Sequence, residues 1–184
     1  MLNTKYIIIE EEGQILPYTN REANGNAWFI KGFEIVDNAN KEIRALDSLD
    51  TKEYALIQKS IFSTNGLKKN YSIDSTSIIS LREFKPNYLK YETNNTSMGY
   101  AVFSEVYYQP GWISLLDGKE VPHHLVNYVL RGMEVPSGKH TIEFKFEPQV
   151  VKTGSTISLA SSALLAILIC AGLFYKIRRK QEVD

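Results

Sequence analysis

From Thr153 to Tyr175 the chain carries no charged residue, and this run constrains everything else it can fold into. A helix that crosses a hydrocarbon core of about 30 Å needs roughly 20 apolar residues. The stretch Ile157–Tyr175 is of that order. Its small residues (Ser158, Ala160, Ser161, Ser162, Ala163, Ala166, Ala171, Gly172) suit close approach of a neighbouring helix. Phe174 and Tyr175 stand at its end, where aromatic rings favour the interface. The competing reading is a buried helix of a soluble protein, but such helices rarely run so far without a polar face. The pattern predicts a transmembrane helix over 153–176 and a basic tail over 177–184.

Orientation follows from the flanking cations. Lys176, Arg178, Arg179 and Lys180 follow the span, whereas only Lys152 closely precedes it. The positive-inside rule then puts the tail in the cytoplasm and residues 1–150 outside. The N-terminus complicates this. Ile7-Ile8-Ile9 is too short for a signal peptide, and Glu10, Glu11 and Glu12 follow it directly. Two resolutions exist: a tail-anchored protein with a cytoplasmic domain, or the end of a longer multi-span protein. We expect the second.

Composition sets wider limits. Hydrophobic residues (43%) and charged residues (23%) are in the proportions of a folded chain. The formal charge is zero, so no basic field draws in nucleic acid. Cys170 is the single cysteine, which rules out an intrachain disulfide and a cysteine zinc site.

The N-terminal part is expected to be mainly β. Residues 1–60 read as a mixed α/β lead-in. Strands are predicted over 5–10, over 26–36 with an interruption at Gly32, and over 54–57. A short amphipathic helix is predicted over 37–50, capped by Asp37 or Asn38, with Ile43, Leu46 and Leu49 on its buried face. Residues 64–67 read as a turn. Residues 71–148 read as β-rich, with strands over 77–84, 88–92, 99–108, 112–116, 127–135 and 140–147. The turns between them are Lys85-Pro-Asn87, Asn94–Ser97, Gln109-Pro-Gly111, Asp117-Gly118 and Pro136-Ser-Gly138. In the last strand Ile142, Phe144 and Phe146 alternate with Thr141, Glu143, Lys145 and Glu147. Short strands at this rhythm predict an antiparallel β-sandwich.

Several of these segments together carry a family resemblance. Ser104-Glu-Val-Tyr-Tyr-Gln-Pro-Gly-Trp112, Asp117-Gly-Lys-Glu120, Asn127-Tyr-Val-Leu-Arg-Gly132, Val135-Pro-Ser-Gly-Lys-His140 and Ile142-Glu-Phe-Lys-Phe-Glu-Pro148 resemble the C-terminal end of YfhO-like bacterial membrane proteins. Asn24-Gly-Asn-Ala-Trp-Phe29 and the segment 37–50 are similar as well. The resemblance implies a multi-span, lipid-linked-sugar-dependent glycosyltransferase type of protein in the bacterial cytoplasmic membrane. In such a protein an outer β-domain precedes a last helix that returns to the cytoplasm. The acidic residues expected to catalyse transfer lie between early membrane helices in that class, so no catalytic residue is carried over to this chain. Whether the chain is an enzyme stays open, and by itself it is expected not to be one.

Tyr107, Tyr108 and Trp112 flank Pro110-Gly111, an aromatic group suited to stacking on sugar rings or, equally, to core and lip positions of the sandwich. Glu105 lies in an apolar strand and needs a partner, and Arg131 in another apolar strand is the natural one. A structural Glu105–Arg131 pair is favoured over an acid catalyst. His123 and His124 are adjacent, so in a strand their rings diverge, and no metal site or cofactor is expected. Two functions remain. One is the outer accessory or binding domain of a cell-envelope glycosyltransferase-type protein, with the bilayer, the rest of a multi-span protein, and a glycan or lipid-linked sugar as partners. The alternative is a stand-alone single-span envelope module that binds a partner protein or polysaccharide.

Overall fold

The computed structural model describes residues 1–11 and 13–181, and for 173–181 the backbone only. The side chains of Phe174 and Tyr175, the cations from Lys176 to Lys180, and residues 182–184 lie outside that description. The chain divides into two units, Met1–Phe146 and the part from Glu147 onward, and each is described by itself.

The first unit contains, in chain order, β1 (Tyr6–Glu11), β2 (Gln14–Thr19), β3 (Ala27–Ile30), β4 (Gly32–Val36), α1 (Ala39–Ala45), β5 (Tyr54–Gln58) and α2 (Lys59–Asn65). There follow β6 (Ile78–Lys85), β7 (Tyr88–Asn95), β8 (Gly99–Val106), β9 (Trp112–Leu116), β10 (Lys119–Val121), β11 (His124–Val126), β12 (Leu130–Val135) and β13 (Gly138–Phe146). Two antiparallel sheets form the sandwich: β10-β9-β13-β7-β6 and β11-β12-β8-β3. Leu89, Tyr91, Ile142 and Phe144 of the first sheet meet Ala101, Phe103, Met133 and Val135 of the second in one core. The period of two then points Tyr100 and Val102 of β8 the opposite way. There they join a second core with Trp28, Ile30, Phe33, Ala55, Ile57 and Leu130. The parallel pair β4–β5 contributes to this core, so the four-stranded sheet is buried on both faces. That explains the nearly unbroken apolar sequence of β8.

The segment 26–36 is two separate strands, not one strand interrupted at Gly32. β3 pairs with β8, whereas β4 leaves that sheet and pairs with β5. The change occurs at Gly32, where a Cβ would lie 2.7 Å from the Lys69 carbonyl oxygen. Phe33 N–H donates to that same oxygen at 2.9 Å. The expected strand over 127–135 also starts later. Asn127 and Tyr128 both adopt positive φ (48° and 68°) and turn the chain from β11 into β12. Asp117-Gly118 does the same between β9 and β10 (φ 50° and 79°), as its sequence predicts.

Helix α1 is capped by Asn38, whose side chain accepts from Lys41 N–H at 3.0 Å. Its buried residue is Glu42, while Ile43 is 47% exposed, so the helix is rotated from the face its apolar spacing suggests. Glu42 accepts from Tyr128 N–H at 2.8 Å and from Gln58 Nε2 at 2.9 Å. Those bonds replace the apolar contact that the spacing predicts for Ile43.

The second unit is the helix α3 (Gln149–Gln181). It starts after Pro148, whose carbonyl accepts from Val151 N–H at 3.1 Å. Residues Gln149–Gly172 are long and apolar enough to cross a membrane. At 100° per residue, Ile157, Leu159, Leu164, Leu165, Ile167 and Ile169 spread around the whole circumference, leaving no polar side. Ser161 Oγ donates to the Ile157 carbonyl at 2.9 Å, so that hydroxyl is satisfied within the helix.

Candidate functional site

The site is built on an irregularity between β8 and β12. Arg131 pairs with Phe103 and Leu130 with Val106, so Ser104 and Glu105 bulge out of the ladder. The Ser104 hydroxyl lies 2.6 Å from the Gly25 carbonyl and 2.9 Å from that of Met1, anchoring the bulge from behind. Beyond it, Tyr107 N–H donates to the Val129 carbonyl at 2.8 Å.

Arg131 is the centre of the arrangement and is only 1% exposed. Its guanidinium carbon lies 4.5 Å from the Trp112 ring centroid and 4.8 Å from that of Phe144. Nη2 donates to the Val106 carbonyl at 3.0 Å. Nε and Nη1 have no hydrogen-bond partner among the described residues. Burial pulls the guanidinium pKa down to about 10, against the opposing charge of Glu105.

Rings extend this centre in both directions. Trp112 tilts against Phe146 at 5.2 Å, and Tyr108 meets Phe146 at 6.3 Å. Gly111 lies under the Phe146 ring, where a Cβ would come within 2.2 Å of it and force the ring to move. On the other side His123 lies edge-on to Phe144 at 5.7 Å, and Tyr107 meets His123 at 5.4 Å. A continuous row therefore runs Tyr107, His123, Phe144, Arg131, Trp112, Phe146, Tyr108. Tyr108, 51% exposed, is its open end.

The fold thus gathers Tyr107, Tyr108, Trp112 and Arg131 into one cluster. The expected Glu105–Arg131 ion pair does not form. No ion pair or hydrogen bond joins the two among the described residues; the guanidinium instead lies over the Trp112 and Phe144 rings and bonds the Val106 carbonyl. Glu105 is half-buried, and burial raises its pKa while the Arg131 charge opposes the rise. Sequence reasoning missed His123, Phe144 and Phe146 as members. The alternation of β13 was the available signal for the two phenylalanines. His123 is desolvated, which lowers its pKa to about 4, so it is a neutral ring in the row. His124 turns the other way and stacks on Tyr100 at 6.4 Å. Among the described residues no group of His, Cys, Asp and Glu is arranged to hold a metal ion.

A polar groove of about 520 Å³ lies elsewhere, on the outer face of the five-stranded sheet, with Arg82, Glu92, Asp117 and His140 in its walls. Asp117 accepts from Thr141 N–H at 2.8 Å and lies 2.6 Å from His140 Nδ1. His140 Nε2 lies 3.1 Å from the Ser137 carbonyl. Both ring nitrogens therefore face acceptors, an arrangement that favours the imidazolium.

The family model for the bacterial membrane protein YfhO matches residues 33–158. The match enters at β4, runs through every later strand of the sandwich, and ends inside the apolar helix α3. The chain belongs to the YfhO family. No curated protein and no solved structure matches the chain. Membership makes this a membrane protein, and α3 is the element suited to the bilayer. The YfhO match covers all five sequence-predicted site residues, whereas the hairpin β1–β2 and strand β3 fall before it.

Proposed function

We propose that the β-sandwich unit is an accessory or binding domain on the outer side of the bacterial cytoplasmic membrane, held there by α3. It serves a cell-envelope glycosyltransferase-type protein and is not catalytic by itself. The observation that carries this reading is the single family match that runs unbroken from the sandwich into the apolar helix. The cations after the span, Lys176, Arg178, Arg179 and Lys180, favour a cytoplasmic C-terminus. An outer β-domain delivered by earlier spans of a longer protein is consistent with that orientation.

The row ending in Tyr108 is the surface we assign to a glycan or the sugar of a lipid-linked donor. Aromatic faces stack on the apolar faces of pyranose rings, and the row is stiffened by the Arg131 stack beneath it.

Binding of envelope oligosaccharides to the full chain in lipid nanodiscs tests this reading. Tyr108→Ala, at an exposed position, is expected to weaken binding at least tenfold with folding intact. Unchanged binding would remove the aromatic row as the contact surface. Absence of any envelope glycan ligand would favour a module that binds a partner protein instead.

A further inference from the structure

The hairpin β1–β2 contributes to neither core. Every residue of both strands is exposed, Ile8 by 75% and Ile15 by 73%. An isolated two-stranded hairpin is marginal in water, and an apolar strand with a free edge is a template for another strand. The hairpin's own hydrogen bonds show which groups are free. Asn20 N–H donates to the Lys5 carbonyl at 2.9 Å, and Ile7 and Ile9 pair in phase with Tyr18 and Leu16. Odd-numbered residues of β1 therefore turn their main-chain groups toward β2. Tyr6, Ile8 and Glu10 turn theirs outward.

We infer that β1 pairs antiparallel with β1 of a second copy, about a twofold axis through Ile8, to make a continuous sheet β2-β1-β1-β2. A twofold axis perpendicular to a sheet keeps each face on its own side, so opposed residues must share parity. With Ile8 opposite Ile8, the outward amides and carbonyls meet outward partners along the strand. Ile7 then faces Ile9 of the second copy, Tyr6 faces Glu10, and Lys5 faces Glu11. Each end of the pairing brings one cation to one carboxylate, and the apolar residues meet between them. Shifting the axis to Ile7 sets Lys5 opposite isoleucine. Shifting it to Ile9 sets Glu10 and Glu11 opposite isoleucine. Sequence and hydrogen-bond phase thus select one register. The acidic tip at Glu10 and Glu11 disfavours an anionic lipid surface as the alternative cover.

The test uses the full chain in mild detergent and in nanodiscs, with mass measured by light scattering across a dilution series. The wild type is expected to be a dimer. Ile8→Pro removes an outward amide while leaving the pairing to β2, and is expected to give a monomer. Lys5→Glu is expected to weaken the dimer at least tenfold, and Lys5→Glu with Glu11→Lys to return it to within about threefold. In a Cys170→Ser background, Ile8→Cys is expected to crosslink at least tenfold faster than Thr19→Cys. Directly opposed residues of a hydrogen-bonded pair are about 5.5 Å apart at Cα, inside the disulfide range. A monomeric wild type, a dimer that survives Ile8→Pro because α3 carries it, or equal crosslinking at the two cysteines would each overturn the proposal.

Discussion

Arg131 keeps one hydrogen bond and two ring contacts, yet two of its nitrogens are buried without partners. A buried charge so placed is weak support for stability, and an apolar residue of similar length is often neutral or better. Arg131→Met is therefore expected to leave stability unchanged or raise it by about 1 kcal/mol in urea unfolding. Arg131→Ala is expected to lose about 2–4 kcal/mol, since it opens a void beneath Trp112. Glu42 is the opposite case, because both carboxylate oxygens are used. Glu42→Ala strands the Tyr128 amide and is expected to cost about 2–3 kcal/mol, with Glu42→Gln milder. Neither role was legible in the sequence. A carboxylate in a helix reads as solvated when its acceptor duty is to a turn far along the chain. Arg131 sits in an apolar strand, but its partners are rings on the facing sheet, whereas residue chemistry alone suggests Glu105.

Elements were legible where pattern and turn chemistry agreed. The β13 alternation, the Asp117-Gly118 turn and the reversal at Pro86-Asn87 are set by local sequence. α2 was missed because Lys59–Asn65 has too short an apolar pattern to show a period. Packing of Phe62 on Phe33 at 6.1 Å holds it instead. β2 was missed because Pro17 sits within it, which is tolerated here on an edge strand. Close packing between strands is sharpest at Gly132, where a Cβ would lie 2.4 Å from the Tyr100 ring and 3.0 Å from the Ala101 carbonyl. Gly132→Ala is expected to destabilise by about 1–3 kcal/mol, visible as a lower thermal midpoint.

The tie between the β9–β10 turn and β13 is pH-dependent. The hydrogen bond to Asp117 raises the His140 pKa above its ordinary 6.5. The contribution to stability is complete below about 6.5 and is lost as pH rises through the raised folded value. Asp117 is held below its ordinary 3.8, first by the Thr141 amide, so its share fades on acidification through the lowered folded value. Asp117 is exposed and solvent screens the pair, so the loss on the alkaline side is expected to be about 0.5 kcal/mol. Asp117→Asn should abolish the slope in unfolding measured between neutral and mildly alkaline pH.

At the scale of the molecule the protein comprises two units that place their apolar residues differently. The sandwich buries its apolar residues in two cores, while α3 exposes leucine and isoleucine on every side. Only lipid or other apolar helices can cover such a surface. The sequence makes the apolar helix legible, because an uncharged run of that length has few readings. It did not disclose the second core, which depends on β4 leaving the sheet at Gly32. Cysteine accessibility reports which side of the membrane holds the sandwich. Glu120→Cys, at an exposed position on β10, in a Cys170→Ser background, is made from the protein's own locus and treated in intact cells with a membrane-impermeant maleimide. The proposed outward-facing sandwich predicts labelling in intact cells equal to that after lysis. Labelling only after the cells are opened would contradict it.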